Sequence, residues 1–289
     1  MALSVEGQLM TDLSDIASRI PAGAADCHAH VIKKDMPLAS NRHSQPARDA
    51  SVEEYLRVLD THDITYGLLT APSFYGANNE VLVQALAQAG GRLRGTAIVE
   101  PGITENELSY LQENGVCGIR FNWIRRDVLP DIESGEYQRL LAKAKNLGFH
   151  IEIYLEGEFL PPVLKAVNKS GVRVVVDHFG HPEGKDGVNS QGFHVLLDAV
   201  EAGNTWVKLS APFRLRGSDP ATLVKKILAQ SNGERAVWAT DWPWVGHEDN
   251  ITYIDCLDWL FDWVPDKTAR DRVLAENAQR LFGFGAPKT

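Results

Sequence analysis

The 289-residue chain is short of positive charge, with 29 Lys and Arg against 38 Asp and Glu and a formal net charge of −9. Such a surface has no basic patch to release counterions from phosphates, which argues against nucleic acid and anionic membranes as partners. A small anionic substrate stays open, because a few well-placed arginines decide that locally. Cysteine is scarce as well. Cys27, Cys117 and Cys256 make an odd count without a C-x-x-C pair, which fits reduced, buried thiols better than a disulfide framework. Residues 1–20 hold Asp12 and Asp15 but neither a basic start nor a long apolar run, so no secretory leader is expected and the cytoplasm is the default compartment. No internal repeat, low-complexity tract or Ser/Gly linker divides the chain.

What is present is the composition of an ordinary globular protein, 44% hydrophobic and 23% charged, long enough for one large α/β domain. Eight short apolar or β-branched runs can be marked at 24–30, 64–71, 94–100, 116–123, 149–156, 172–179, 206–211 and 236–241. Each is followed by a plausible helix. This alternation predicts a TIM-type (β/α)8 barrel over residues 23–289, preceded by an N-terminal extension at 1–22. Thr104 and Glu107 form a capping-box pattern, Asp219 and Pro220 a cap with a first-turn proline, and Gly148 and Gly171 stand where helices should stop. Segments 251–263 and 266–282 read as closing helices. The stretch 31–51 is long for a strand-to-helix loop and is expected to lie over the barrel mouth.

Active sites of such barrels lie at the C-terminal ends of the strands, and here those ends are polar. His28 and His30 end the first run, Ser73 follows the second, and Arg120 and Asn122 lie on the fourth. Tyr154 lies on the fifth, His178 ends the sixth, Arg214 follows the seventh and Asp241 ends the eighth. Residues two apart on a strand share a face, so His28 and His30 can share one polar centre, and Cys27 between them should point at the helices. The same alternation turns Glu152, Tyr154 and Glu156 inward, with Arg120 or His30 as the expected partner of the Glu152 carboxylate. A one-residue slip would instead expose Glu152.

Four motifs in order carry a resemblance: Asp-Cys-His-Ala-His at 26–30, Gly-Ile-Arg-Phe-Asn at 118–122, Val-Asp-His-Phe-Gly-His-Pro at 176–182 and Trp-Ala-Thr-Asp-Trp-Pro at 238–243. Together they resemble the amidohydrolase superfamily, and within it the branch of lactonases acting on pyrone dicarboxylates in the breakdown of aromatic compounds. The resemblance implies hydrolysis of a small anionic lactone with no metal required. It implies Asp241 as the base that activates water and later protonates the leaving ring oxygen. His28, His30 and His178 would polarise the carbonyl, each if it keeps an N–H directed into the site. It further implies Arg120, Arg126 and Arg214 as carboxylate clamps, suited by their planar forks, and Ser73 and Tyr154 as further substrate contacts. Each arginine could instead be a structural ion-pair partner.

Two departures from the family pattern bear on this. Metal-using relatives commonly carry a histidine where this chain has Tyr154, and the strand-four bridging ligand of binuclear members is missing. His28, His30, His178 and Asp241 could still hold a divalent metal such as zinc. In the first loop the substrate-contacting tyrosine is replaced by the run containing Arg42 and His43. A zinc-dependent decarboxylase of the same superfamily and a non-catalytic organic-acid-binding barrel are the alternatives. Trp242 and Trp244 are expected to serve packing more than the pocket. His181, His194 and His247 are expected at loop or helix surfaces, with His247 the one that could line the mouth. Monomer and homo-oligomer both remain open.

Overall fold

The computed structural model describes residues 16–40 and 42–285, so most of the expected N-terminal extension lies outside the described residues. Eight parallel strands form one sheet in sequence order: β1 Ala25–Ala29, β2 Tyr66–Thr70, β3 Leu93–Ala97, β4 Val116–Asn122, β5 His150–Tyr154, β6 Arg173–Val176, β7 Thr205–Leu209 and β8 Ala236–Trp238. The helices that alternate with them include α1 Val52–Thr61, α2 Glu80–Gln88, α3 Glu105–Glu113, α4 Gly135–Asn146, α5 Leu160–Ser170, α6 Gln191–Glu201 and α7 Pro220–Ser231. This is the expected TIM-type barrel. α8 Tyr253–Trp263, α9 Lys267–Asp271 and α10 Asn277–Phe282 follow the last strand, with a π-helical turn at Arg272–Glu276 between the last two.

Local chemistry sets these boundaries. Thr104 and Glu107 make the reciprocal capping box at the start of α3, and Asp219 caps α7 through the Thr222 N–H ahead of Pro220. Gly171 ends α5 in the left-handed conformation, at φ 76°, which costs glycine little for want of a Cβ. Among the described residues no helix is long and apolar enough to cross a membrane.

The barrel closes where β1 meets the chain just beyond β8. The Asp241 N–H donates to the His28 carbonyl at 2.8 Å, and the His30 N–H donates to the Trp242 carbonyl at 2.8 Å. His28, His30 and Asp241 are therefore neighbours because the backbone seam makes them so.

Inside, the barrel is layered from apolar to charged. Its floor packs Ala25, Cys27, Leu68, Val175, Trp206 and Val237 against Leu281 and Phe282 from the closing helix α10. Cys27 therefore faces inward, contrary to the alternation argument. The pairing of β1 with β2 shifts register between Asp26 and Ala29, and such an irregularity lets consecutive residues turn to one side. Asp26 is correspondingly displaced outward, where Thr240 donates to it from both N–H (3.0 Å) and O–H (2.6 Å).

Candidate active site

Above the apolar floor lies a layer of charge. Glu152 is fully buried and faces inward on β5, so the expected alternation holds there. Its Oε1 is 3.1 Å from Arg120 Nε, as the sequence suggested, and its Oε2 is 2.5 Å from Lys208 Nζ. His30 is not among these partners. Asp177 completes the group, accepting from Arg120 Nη2 at 2.9 Å with Lys208 Nζ 3.2 Å away. Burial opposes charge on Asp177, but Lys208 above all, with Arg120, overcomes it and holds its carboxyl well below the usual range. Two cations thus face two carboxyl groups in a space closed to water, an arrangement tolerable only because each charge has a partner.

Asp177 and Lys208 were missed in the sequence. Lys208 stands on β7 between Val207 and Leu209, which pack outward, so the same alternation that located Glu152 also turns Lys208 inward.

One layer higher the catalytic candidates converge. Asp241 Oδ1 lies 3.5 Å from His28 Nε2 and 3.3 Å from His30 Nε2, while its Oδ2 is 2.6 Å from Arg214 Nε. Asp241 is buried, which by itself would raise its pKa. Arg214 above all outweighs that and holds it well below the usual carboxylate range. The backbone at His178 (φ 49°) and Asp241 (φ 66°) is left-handed, an uncommon conformation outside glycine that clusters at functional sites. His178 Nδ1 meets Ser210 Oγ at 2.8 Å, and burial depresses its pKa to about 3, so its ring is neutral.

His30 differs from its expected role. Its Nδ1 is 2.7 Å from the Thr70 carbonyl oxygen, which can only accept, so Nδ1 carries a hydrogen. Neutral His30 then presents a lone pair at Nε2, and it offers an N–H to the site only as an imidazolium.

Asp241, His30, His178, Arg214 and Arg120 line a cavity of about 370 Å³ at the barrel mouth, together with Ser73, Asn122, Tyr154, Arg125, His43 and His247; fully buried His28 is not part of its wall. The long 31–51 loop supplies His43, Ser44 and Gln45 to its wall, as expected of a loop over the mouth. Burial lowers the His43 pKa to about 4, helped by Arg120 and Arg125. Arg126 does not line this cavity. It faces an adjoining one of about 440 Å³, which shares His43, Ser73, Arg120 and Asn122 with the first.

Arg120 is already engaged at three nitrogens, the third donating to the Ala71 carbonyl at 3.0 Å, which leaves two of its five N–H groups for a ligand. Trp242 is buried and stacks on Tyr55 at 5.1 Å, consistent with packing. His181 is buried rather than at the surface.

The donor atoms of His28, His30 and Asp241 lie within 4.8 Å of one another and could hold a metal ion; those of His28, Asp177 and His178 form a second such group. Of the expected set His28, His30, His178 and Asp241, three fall in the first group, while His178 falls with His28 in the second, where Asp177 takes the carboxylate place. The first has the mixed N and O character zinc accepts, and the Thr70 carbonyl orients His30 as a second-layer acceptor would. In the second, Asp177 is already held by Arg120 and Lys208.

Comparison with known proteins agrees with this architecture. The family profile described as amidohydrolase matches residues 25–284. The 2-pyrone-4,6-dicarboxylate hydrolase of Comamonas testosteroni is 31% identical over 282 residues, covering 91% of each chain. The 4-sulfomuconolactone hydrolase of Hydrogenophaga intermedia is 25% identical, covering 91% of this chain and 90% of its own. A structure from Acinetobacter baumannii, named as a 2-pyrone-4,6-dicarboxylic acid hydrolase and holding citric acid, superposes with a TM-score of 0.83 at 29% identity. It covers 91% of this chain and 100% of its own.

Proposed function

The chain belongs to the amidohydrolase family, and from that premise we propose that it hydrolyses a carboxylated lactone of the pyrone-dicarboxylate type without needing a metal. The observation that carries the reading is the Asp241 carboxylate. It is buried and ionised, flanked by three imidazoles and an arginine, and open to a cavity whose size suits a small ring.

Asp241 Oδ1 and the lone pair of His30 hold the attacking water between them. Asp241 takes one proton, the water oxygen bonds to the lactone carbonyl carbon, and the carbonyl oxygen becomes an oxyanion. N–H groups from His28 and His178 face that oxygen as its charge grows. When the tetrahedral centre collapses, the ring C–O bond breaks and Asp241 returns its proton to the leaving oxygen. Arg214 and the two unengaged N–H groups of Arg120 hold substrate carboxylates, with Ser73 and Tyr154 beside them. Arg126 meets the part of a ligand that extends into the adjoining cavity. A divalent ion on His28, His30 and Asp241 would supply Lewis-acid polarisation of the carbonyl, the chemistry that the imidazole N–H groups supply in this reading.

The relatives named as dicarboxylate and sulfonate lactone hydrolases, and the citrate held by one of them, support an anionic substrate. Ring opening of 2-pyrone-4,6-dicarboxylate, followed by ultraviolet absorbance, tests the reading with 4-sulfomuconolactone in parallel. Turnover of either supports lactone hydrolysis, and turnover of neither by active-site-intact protein overturns the substrate class.

A further inference from the structure

Lys208 is fully buried beneath the site and has no place in the reaction as written, yet it touches one of the reacting imidazoles. Its Nζ lies 2.5 Å from Glu152 Oε2, 3.2 Å from Asp177 Oδ1 and 3.0 Å from His28 Nδ1. An amine between two carboxyl groups at those distances is an ammonium, with three hydrogens and no lone pair. Two of those contacts, to Glu152 and His28, are hydrogen bonds, and the third is an ion pair with Asp177. The contact with His28 therefore has one chemical sense, Lys208 donating to an unprotonated Nδ1.

We propose that Lys208 is a positioning residue that fixes His28 as the Nε2–H tautomer, so that the site receives a donor where metal-binding relatives of this geometry would need a lone pair. This deepens the hydrolase reading and rests on it for the use made of the donor. The tautomer itself stands on the geometry alone.

Three further observations agree. His28 Nε2 is buried without a hydrogen-bond partner and points toward Asp241, 3.5 Å from Oδ1. An N–H there is aimed at an acceptor, whereas a lone pair would face a carboxylate. An Nδ1 that accepts from the Lys208 ammonium carries no hydrogen, so the ring is neutral and its hydrogen sits on Nε2. The competing acceptor at Nδ1 is Asp177 Oδ1 at 3.3 Å, itself an ion-pair partner of Lys208; the closer Lys208 hydrogen bond at 3.0 Å sets the sense of Nδ1. The seam holds the His28 backbone through the Asp241 N–H, which helps keep the ring in place while Lys208 selects its hydrogen.

The consequence for cofactor use is direct. A metal ligand must present a lone pair, so binding an ion at His28, His30 and Asp241 requires His28 to move its hydrogen to Nδ1 and to break the Lys208 contact. Lys208 thereby biases the triad toward proton chemistry.

The test is the histidine tautomer in the intact protein. With ¹⁵N-labelled histidine, two-bond ¹H–¹⁵N spectra separate protonated from unprotonated ring nitrogens, and His28→Gln assigns the signals. Protonated Nε2 and unprotonated Nδ1 at His28 are expected. Protonated Nδ1 would overturn the proposal whatever the substrate turns out to be, because the measurement needs no turnover.

Lys208→Gln provides the second arm, since its amide oxygen can accept from Nδ1–H. In the folded variant the His28 hydrogen is expected at Nδ1. Zinc uptake, read by equilibrium dialysis, is expected to rise at least tenfold, and kcat is expected to fall about 10–100-fold, as for other residues that orient a reacting imidazole. A variant that folds, keeps the wild-type tautomer and takes up no more zinc would also overturn it. If the variant does not fold, the wild-type spectrum still decides.

Discussion

As the proposed base, Asp241 faces two demands that pull against each other. A general base works best with a pKa near the operating pH, yet Arg214 at 2.6 Å helps hold this carboxylate well below its usual range. In the proposed reaction a substrate carboxylate shares the guanidinium, which loosens its grip on Asp241 and raises its basicity when it is needed. Two expectations follow. Asp241→Asn should bind ligand but lose about 10²–10⁴-fold in kcat, measured by steady-state kinetics beside calorimetric binding; undiminished turnover would remove Asp241 as the base. Arg214→Met should raise KM and also shift the pH profile. Removing a cation raises the pKa of its carboxylate neighbour, so the acid limb of kcat/KM should move to higher pH in the variant. An acid limb that stays in place would mean that Arg214 holds substrate without tuning Asp241. Alternation turned Glu152 inward, and the polar strand ends marked Arg120 and Asp241. Neither could show which group meets Asp241, so Arg214 was legible as a cation and its pairing with Asp241 was not.

At the scale of elements, the strand pattern was readable because each run is short, apolar on its outer face and bounded by a cap or a stop. Where alternation misled, at Cys27, the cause was the register shift in β1, which leaves no mark in a pattern of period two. The β4–β5 pair shows how closely two strands fit. A Cβ built at Gly118 would overlap the ring of His150, which is buried beneath Glu152 with its pKa pushed down to about 3, chiefly by burial. Gly118→Ala should therefore cost about 1–3 kcal/mol through overpacking, seen as a lower urea midpoint with an unchanged slope. A neutral substitution would show that His150 can move aside.

At the scale of the whole molecule, the barrel brings together residues far apart in sequence. Lys208 meets His28 across 180 positions and Glu152 across 56. Such pairings depend on closure of the sheet, so the fold was legible from local signals, while of the charged layer only the Glu152–Arg120 pair was. Asp26 ties the same closure to pH. Burial raises its pKa from 3.8 to about 6, against hydrogen bonds from Thr240 and His28. A carboxyl that holds its proton more tightly in the native state favours folding when protonated. Its contribution is therefore largest below about pH 4 and is lost as pH rises through about 6, a change of about 3 kcal/mol. Urea unfolding of wild type and Asp26→Asn should show the wild-type advantage shrinking across that window; a constant difference would mean that Asp26 titrates normally in the fold.

In the proposed reaction the residues of this barrel open an anionic lactone by proton chemistry alone. Its most direct test is the rate of 2-pyrone-4,6-dicarboxylate ring opening before and after exhaustive chelation, with metal content measured on the same samples. Turnover is expected to be unchanged in protein shown to be metal-free. Loss of turnover on chelation, restored by added zinc, would contradict the claim and assign the carbonyl polarisation to an ion on His28, His30 and Asp241.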